Sequence, residues 1–322
     1  METTRPGQPD VFDGFLAETL SLRRDHDGPA VATLVSRCLP AADRAVLYVH
    51  GYNDYFFQVE MADRWNAAGF DFYAIDLRRH GRSLRPGQIL AFTRDLHAYF
   101  EELDAAVSRI RERDGHRRLI LSGHSTGGLT CALYAHHRRE RGTLDGLLLN
   151  TPFLSFRGTR LTRTLLRRVV PGIGRIDPRW VVQKDGGPEY LWSLHEDFGK
   201  GGEWEFDLTW KTPGGLPLLA GFIGAAHRGH EEVRAGLDVQ CPTLVLTSLR
   251  SGGGAEWNPS YLDSDAVLDV HATRARAWGI GQDVTQRVVA DALHDVILSR
   301  PEVRDRAWGW ILDWAEGLGR RW

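Results

Sequence analysis

"LILSGHSTGGLT", residues 119–130, joins a short apolar run ending at Ser122 to a helix-like run, with Gly123, Gly127 and Gly128 placed around Ser125. The string Gly-x-Ser-x-Gly is weak alone, and in chains of this composition chance supplies one in roughly a tenth of cases. Context decides its reading. Residues 119–121 are the end of a buried strand, and "LTCALYAHH" reads as a helix starting directly after the second glycine. A serine at such a crossing takes strained dihedrals, flanking glycines leave room for strand and helix to pass, and the helix N-terminus favours developing negative charge. Ser125 is therefore read as a nucleophile rather than a structural loop serine.

Outward from this turn, short apolar runs alternate with helical stretches. "AVLYVH", "FDFYAID", "RLILSG" and "LDGLLLN" are separated by "VEMADRWNAAG", "LHAYFEELDAAVSRIRERD" and "GLTCALYAHHRRER". Continuous apolar strands, each followed by a helix, predict a mostly parallel, doubly wound α/β sheet covered on both faces. Before them, "TLSLRRD" and "AVATLVSR" flank "HDGP", an expected antiparallel hairpin. The rhythm stops after Thr151-Pro152 and resumes at "PTLVLTS", followed by a helical "AVLDVHATRARAWG", a strand "DVTQRVVA" and a last helix "RPEVRDRAWGWILDWAEGL". The expected organisation is one sheet domain in two parts, residues 1–151 and 238–322, with an insertion at 152–237.

The 322 residues suffice for a substantial core, and a net charge of −2 gives no support for a nucleic-acid partner. The N-terminal "METTRPGQPDVFDGF" lacks the apolar core of a signal peptide and no stretch is long enough for a membrane span, so a cytoplasmic protein is expected. Cys38, Cys131 and Cys241 are few and far apart, which suggests neither a disulfide framework nor a zinc site. The excess of arginine over lysine is what a GC-rich bacterial genome produces.

A serine hydroxyl needs a base, and the base needs an orienting acid. The base is expected late, after the last strand, and "VVADALHDV" puts His294 there, singled out from 13 histidines by position. His124, His136 and His137 lie too close to Ser125 in sequence to serve. The acid is expected after "PTLVLTS", where Asp263, Asp265 and Asp269 compete, with Asp295 beside the histidine a further candidate. Asp265, ahead of the helical run, is preferred; Asp269 is expected inside the helix and Asp263 in a turn. Asn150 leaves the alternative acid position after "LDGLLLN" without a charge. Donors for an oxyanion are expected from the backbone N–H of Thr126 and, after His50-Gly51 in "YVHGYND", from that of Tyr52, with His50 structural.

With "HGYNDY", "DLRRHGRS", "GHSTGG" and "SDAVLDV…ALHDV" in view, the sequence resembles the α/β-hydrolase fold, and more narrowly the monoacylglycerol lipase and lysophospholipase group of serine hydrolases (serine aminopeptidase S33-like), from about Val46 to Trp314. The resemblance implies a Ser125-Asp265-His294 triad, a Tyr52 and Thr126 oxyanion hole, and a cap formed by the insertion. It implies a serine esterase or lipase acting on a small acyl ester through an acyl-enzyme, with no cofactor or metal. Thioesterase, acyltransferase and non-catalytic ligand-binding members share the framework. Arg79-His80-Gly81 stands where the family often has Gly-His-Gly, and "YNDYFFQVE" replaces its usual loop, so substrate identity is not carried across.

Within the insertion, "FRGTRLTRTLLRRVV" puts Leu161, Leu165 and Val169 on one helical face, Leu166 close by, and Arg160, Arg163, Arg167 and Arg168 largely elsewhere. A lid helix packed on the body is preferred to one in transient contact with a membrane surface. Trp180, Trp192, Trp204, Trp210, Tyr190 and Phe222 are candidates to wall an acyl pocket or to form the insertion's core.

Overall fold

A computed structural model describes residues 7–184 and 187–319, apart from the side chains of Arg160, Arg163 and Arg167. The hairpin lies where Asp27-Gly28 turns the chain: β2 (Leu16–Asp25) pairs antiparallel with β3 (Gly28–Arg37), and a short β1 (Gln8–Pro9) extends its edge. Six parallel strands follow: β4 (Arg44–Val49), β5 (Asp71–Asp76), β6 (Arg118–His124), β7 (Gly146–Asn150), β10 (Thr243–Ser248) and β11 (Val284–Val289). The order across the whole nine-stranded sheet, β1-β2-β3-β5-β4-β6-β7-β10-β11, puts β6 near the middle, so Ser125 emerges at the carboxyl end of a central strand. Sites in open α/β sheets form there, because loops diverge and leave a crevice.

Alternation along β4 shows how the sheet is covered. Leu47 and Val49 face one core with α2 (Phe100–Ser108) and α3 (Thr126–His137); Val46 and Tyr48 face the other, with α1 (Val59–Ala67) and α9 (Pro301–Gly319). All four are buried, which explains why the strand reads as apolar without alternation. Each such side chain contributes about 1.5–3 kcal/mol of transfer free energy.

Between β7 and β10 the chain forms α4 (Arg160–Arg168), α5 (Val170–Ile176), β8 (Val181–Gln183), α6 (Glu189–Trp192), β9 (Leu218–Leu219) and α7 (Ala220–Ala235), with β8 and β9 paired outside the main sheet. Val233 of α7 packs into the main core beside Leu129 and Leu133, so this last helix of the insertion covers the body as well.

Three expectations are corrected. α3 begins at Thr126, so Gly127 and Gly128 lie inside its first turn rather than ahead of it. The helix read over 266–279 is confined to α8 (Val270–Ala277), because Asp265 turns the chain by accepting the Val267 and Leu268 N–H groups, and Asp269 caps α8 by accepting from Ala272 N–H. Asp269 is thus a cap residue, not an interior one. The apolar stripe of α4 and of Val169, which follows it, is not packed on the body: Leu161, Leu165 and Val169 are 70%, 48% and 50% exposed, with Leu166 alone of that set partly covered. The side chains of Arg160, Arg163 and Arg167 lie outside the described residues.

Candidate active site

Ser125 takes φ 51° and ψ −116°, a conformation L-residues rarely adopt, and it links β6 directly to α3. The turn is held by Ser125 N–H donating to Asn150 O (3.1 Å) and by Ser125 O accepting from Leu129 and Phe153 N–H. The glycines are steric requirements. A Cβ on Gly127 would lie 2.2 Å from His50 O, and one on Gly123 2.6 Å from Gly127 O.

Ser125 Oγ–H points to His294 Nε2 at 3.0 Å, and His294 Nδ1–H points to Asp265 Oδ2 at 3.1 Å. A carboxylate only accepts, so the proton on Nδ1 leaves Nε2 free to accept from the serine. All three side chains are buried. Burial alone would push the Asp265 carboxyl up, but His294 and the Leu268 and Val267 N–H groups outweigh it and hold the group below its ordinary value. The loop before Asp265 is long, yet its register is fixed where Asp265 N–H donates to Arg250 O and Gly252 N–H donates to Asp265 O.

The competing carboxylates are engaged elsewhere. Asp263 pairs with Arg250 at the surface (2.7 Å), and Asp269 caps α8. Asp295 accepts from Asn150 Nδ2 (2.6 Å), while Asn150 Oδ1 accepts from Val296 N–H, so Asn150 anchors the loop carrying His294. Thr151 Oγ1 adds a bond to His294 O. His124 packs against His294 with ring centroids 4.9 Å apart; burial pushes its pKa down. His136 accepts from Asp238 N–H and His137 meets Glu232, both at the far end of α3.

His50 is fixed as a structural group: Nδ1–H donates to Gly51 O and Nε2 accepts from Leu77 N–H. Gly51 lies close to the serine, where a Cβ would come 3.4 Å from Ser125 Cβ, so Tyr52 follows at the rim of the site. Thr126 opens α3, where first-turn N–H groups have no intrahelical acceptor. His80, from the unusual Arg-His-Gly, lies between Tyr52 O (3.0 Å) and Arg78 O (2.9 Å). Burial brings its pKa down to about 3, so the ring is neutral and its single N–H donates to one of these two carbonyl oxygens.

The altered "YND" loop is where the insertion attaches. Tyr52 stacks on Phe222 (4.0 Å) and donates to Pro217 O; Asn53 exchanges hydrogen bonds with Thr212; and Asp54 pairs with Lys211 at 2.6 Å. None of these partnerships is visible in the sequence, since the paired residues are 157 or more positions apart. Of the aromatics considered for a pocket wall, Tyr190 lies beside His294 (5.7 Å) and its OH accepts from Asp295 N–H. Trp204 and Trp210 pack instead with Tyr55 and Phe57, Trp192 with Phe198, and Trp180 is exposed.

A strained serine at the end of a central parallel strand, with a late histidine and a long insertion, defines the α/β-hydrolase fold, and this chain has it. Within that fold the chain resembles the monoacylglycerol lipase-like group: residues 40–197 match the family model described as serine aminopeptidase, S33. A Schizosaccharomyces pombe protein assigned as a monoglyceride lipase is 25% identical over 142 residues, a match spanning 44% of this chain but only 37% of that relative's length. Among solved structures, a soluble variant of Saccharomyces cerevisiae monoglyceride lipase, in complex with a substrate analogue, has a TM-score of 0.69 at 15% identity, covering 94% of this chain and 97% of that one. The Paleococcus ferrophilus monoacylglycerol lipase has a TM-score of 0.61 at 20% identity, covering 85% and 94%. No helix among the described residues is long and apolar enough to cross a membrane.

Proposed function

We propose that the protein is a serine carboxylester hydrolase for small acyl esters of the monoacylglycerol or lysophospholipid type. The observation that carries this reading is the continuous run Ser125 Oγ to His294 Nε2 (3.0 Å) and His294 Nδ1 to Asp265 Oδ2 (3.1 Å), ending on a strained elbow. Ser125 Oγ attacks the ester carbonyl while His294 takes its proton. Asp265 holds the imidazole and stabilises the imidazolium, and the Tyr52 and Thr126 N–H groups receive the oxyanion. Collapse of the tetrahedral intermediate breaks the ester C–O bond, His294 protonates the departing alcohol, and a water activated by His294 releases the acid from Ser125.

The insertion at 152–237 acts as the cap, with Tyr190 and Phe222 on its inner side. The exposed Leu161, Leu165 and Val169 favour contact of α4 with a lipid surface over packing on the body.

The test is intact-protein mass spectrometry after fluorophosphonate treatment, alongside Ser125→Ala and His294→Ala, followed by p-nitrophenyl esters of graded acyl length. One adduct on Ser125, lost in both variants, together with ester turnover, is expected. Ester turnover that survives Ser125→Ala overturns the reading.

A further inference from the structure

At the opposite end of α3 from Ser125, three potential metal ligands converge from three separate elements. His97 lies on a 3-10 turn (Leu96–Tyr99), His137 is the last residue of α3, and Glu232 is in the last turn of α7. His97 Nε2 lies 3.0 Å from Glu232 Oε1, and His137 Nε2 2.7 Å from Glu232 Oε2. One donor atom from each of the three residues falls within 4.8 Å of the others.

We propose that His97, His137 and Glu232 form a structural site for a divalent transition-metal ion, of which Zn2+ is the best fit. Two imidazoles and one carboxylate suit Zn2+, Ni2+, Cu2+ or Co2+ rather than Ca2+ or Mg2+, which prefer oxygen ligands. Tetrahedral zinc with bonds near 2.0–2.1 Å needs ligand atoms about 3.4 Å apart; with the two His–Glu contacts at 3.0 and 2.7 Å and the three donor atoms within 4.8 Å of one another, shifts of about 1.4 Å or less bring them to that spacing. Water supplies the fourth ligand, since all three side chains are about a third exposed.

The rings are already oriented for this. His97 stacks on Phe100 (4.8 Å, 30°), which also lies against His137 (5.7 Å), so both imidazoles rest on one apolar ring that fixes their planes. His137 and Glu232 each sit at a helix C-terminus, where the aligned carbonyls present partial negative charge to a cation. The ion would staple α7 to α3 and to the turn leading into α2. α7 carries Phe222, which stacks on Tyr52, so the staple fixes the far end of the helix whose near end meets the active-site loop. The site is independent of ester chemistry and stands or falls apart from the function proposed above.

The experiment uses the full chain without an affinity tag, stripped with chelator and titrated calorimetrically with ZnCl2. Its controls are His97→Gln/His137→Gln, Glu232→Gln and His271→Gln, the last altering an exposed histidine on α8. Expected are one equivalent bound with a Kd below about 10 µM, at least a tenfold loss of affinity in the first two variants, and wild-type binding in His271→Gln. Thermal unfolding should move up by about 4 °C at a hundredfold excess of Zn2+ over its Kd, a shift absent in the double variant. Co2+ should give a ligand-field spectrum without thiolate charge transfer, which separates this site from one using Cys38 or Cys241. No binding by the wild type below 1 mM, or unchanged binding by the double variant, overturns the proposal.

Discussion

Lys211 Nζ lies 2.6 Å from Asp54 Oδ1, a pair closed off from solvent that ties the insertion to the loop carrying Tyr52. Asp54 Oδ2 also accepts from Gly51 N–H, so this carboxylate reaches both the insertion and the turn beside Ser125. Burial pushes the Asp54 carboxyl up, but the Lys211 ammonium outweighs it and holds the group below its ordinary value.

Lys211→Met should therefore destabilise the protein by about 3–5 kcal/mol at neutral pH, because it leaves a buried charge without its partner. The Asp54→Asn/Lys211→Met double variant should recover most of that loss, and denaturant unfolding of the four members of the cycle measures it. Since the folded pKa lies below the unfolded one, the pair's contribution is complete above the ordinary carboxylate range. It disappears as pH falls through the depressed value, and the Lys211→Met deficit should shrink with it.

The Asp265 carboxylate accepts from His294 and two backbone N–H groups, whereas Asp263 faces Arg250 and Asp269 caps α8. Asp265→Asn should lower kcat by about 10³–10⁴ with little change in KM, since it disturbs the histidine tautomer. Asp263→Asn should leave kcat unchanged. Asp269→Ala should cost about 1 kcal/mol of stability through the lost cap, again with kcat intact. An Asp263 or Asp269 variant as impaired in kcat as Asp265→Asn would reassign the acid.

These contrasts show why some of the site is legible in the sequence and some is not. Ser125, Thr126 and the glycines beside them are read locally, because a strand crossing tightly into a helix leaves room only for small residues. His294 is placed by chain order. Choosing among the aspartates is harder, because Asp265 is fixed by backbone pairing to residues 250–252, which no local pattern announces. Asn150 reads as an empty acid position, and only its contact with Asp295 across the sheet end reveals an anchor. The α4 stripe reads as a buried face because periodicity reports that a helix is amphipathic without saying what covers it.

Asp25, at the end of β2, accepts from Arg79 and Arg78 in the segment that supports His80. Burial opposes its ionisation, but the Arg79 bond and the other partners win and bring its pKa down to about 2. Its contribution to stability is thus complete above the unfolded value near 4 and lost as pH falls through about 2. Asp25→Asn should lower Tm at pH 7, and the difference from wild type should narrow steadily below pH 4. A Tm difference independent of pH would exclude the charge as its source.

Gly127 and Gly309 are both helical and should respond oppositely to alanine. At Gly127 the added Cβ would lie 2.2 Å from His50 O and 2.5 Å from Val49 O, backbone atoms of β4 and its loop that cannot give way separately. Gly127→Ala should cost at least about 1–3 kcal/mol and displace the elbow, lowering kcat as well. At Gly309, within α9, nothing lies within 4 Å of the new methyl. Gly309→Ala should stabilise by up to about 1 kcal/mol with unchanged kcat, and paired unfolding and activity assays distinguish the two.

Asn150→Asp tests whether the amide, rather than the shape, holds the histidine loop. The amide donates to Asp295 Oδ1 at 2.6 Å, and a carboxyl can reproduce that donation only while protonated. Two buried carboxyl groups at this separation cannot both ionise, so in the folded variant the pair should retain a proton above the ordinary carboxylate range. A folded pKa raised above the unfolded one means that stability is greatest at low pH and is lost as pH rises. Asn150→Asp should therefore approach wild-type Tm near pH 4 and fall progressively behind it towards pH 8. Because Val296 N–H also bonds to Asn150 Oδ1, the displaced loop should carry His294 away from Ser125, and kcat should fall over the same pH range. Asn150→Leu, which cannot donate at any pH, should be destabilised throughout, and a parallel pH course for the two variants would rule out the amide donor as the anchor.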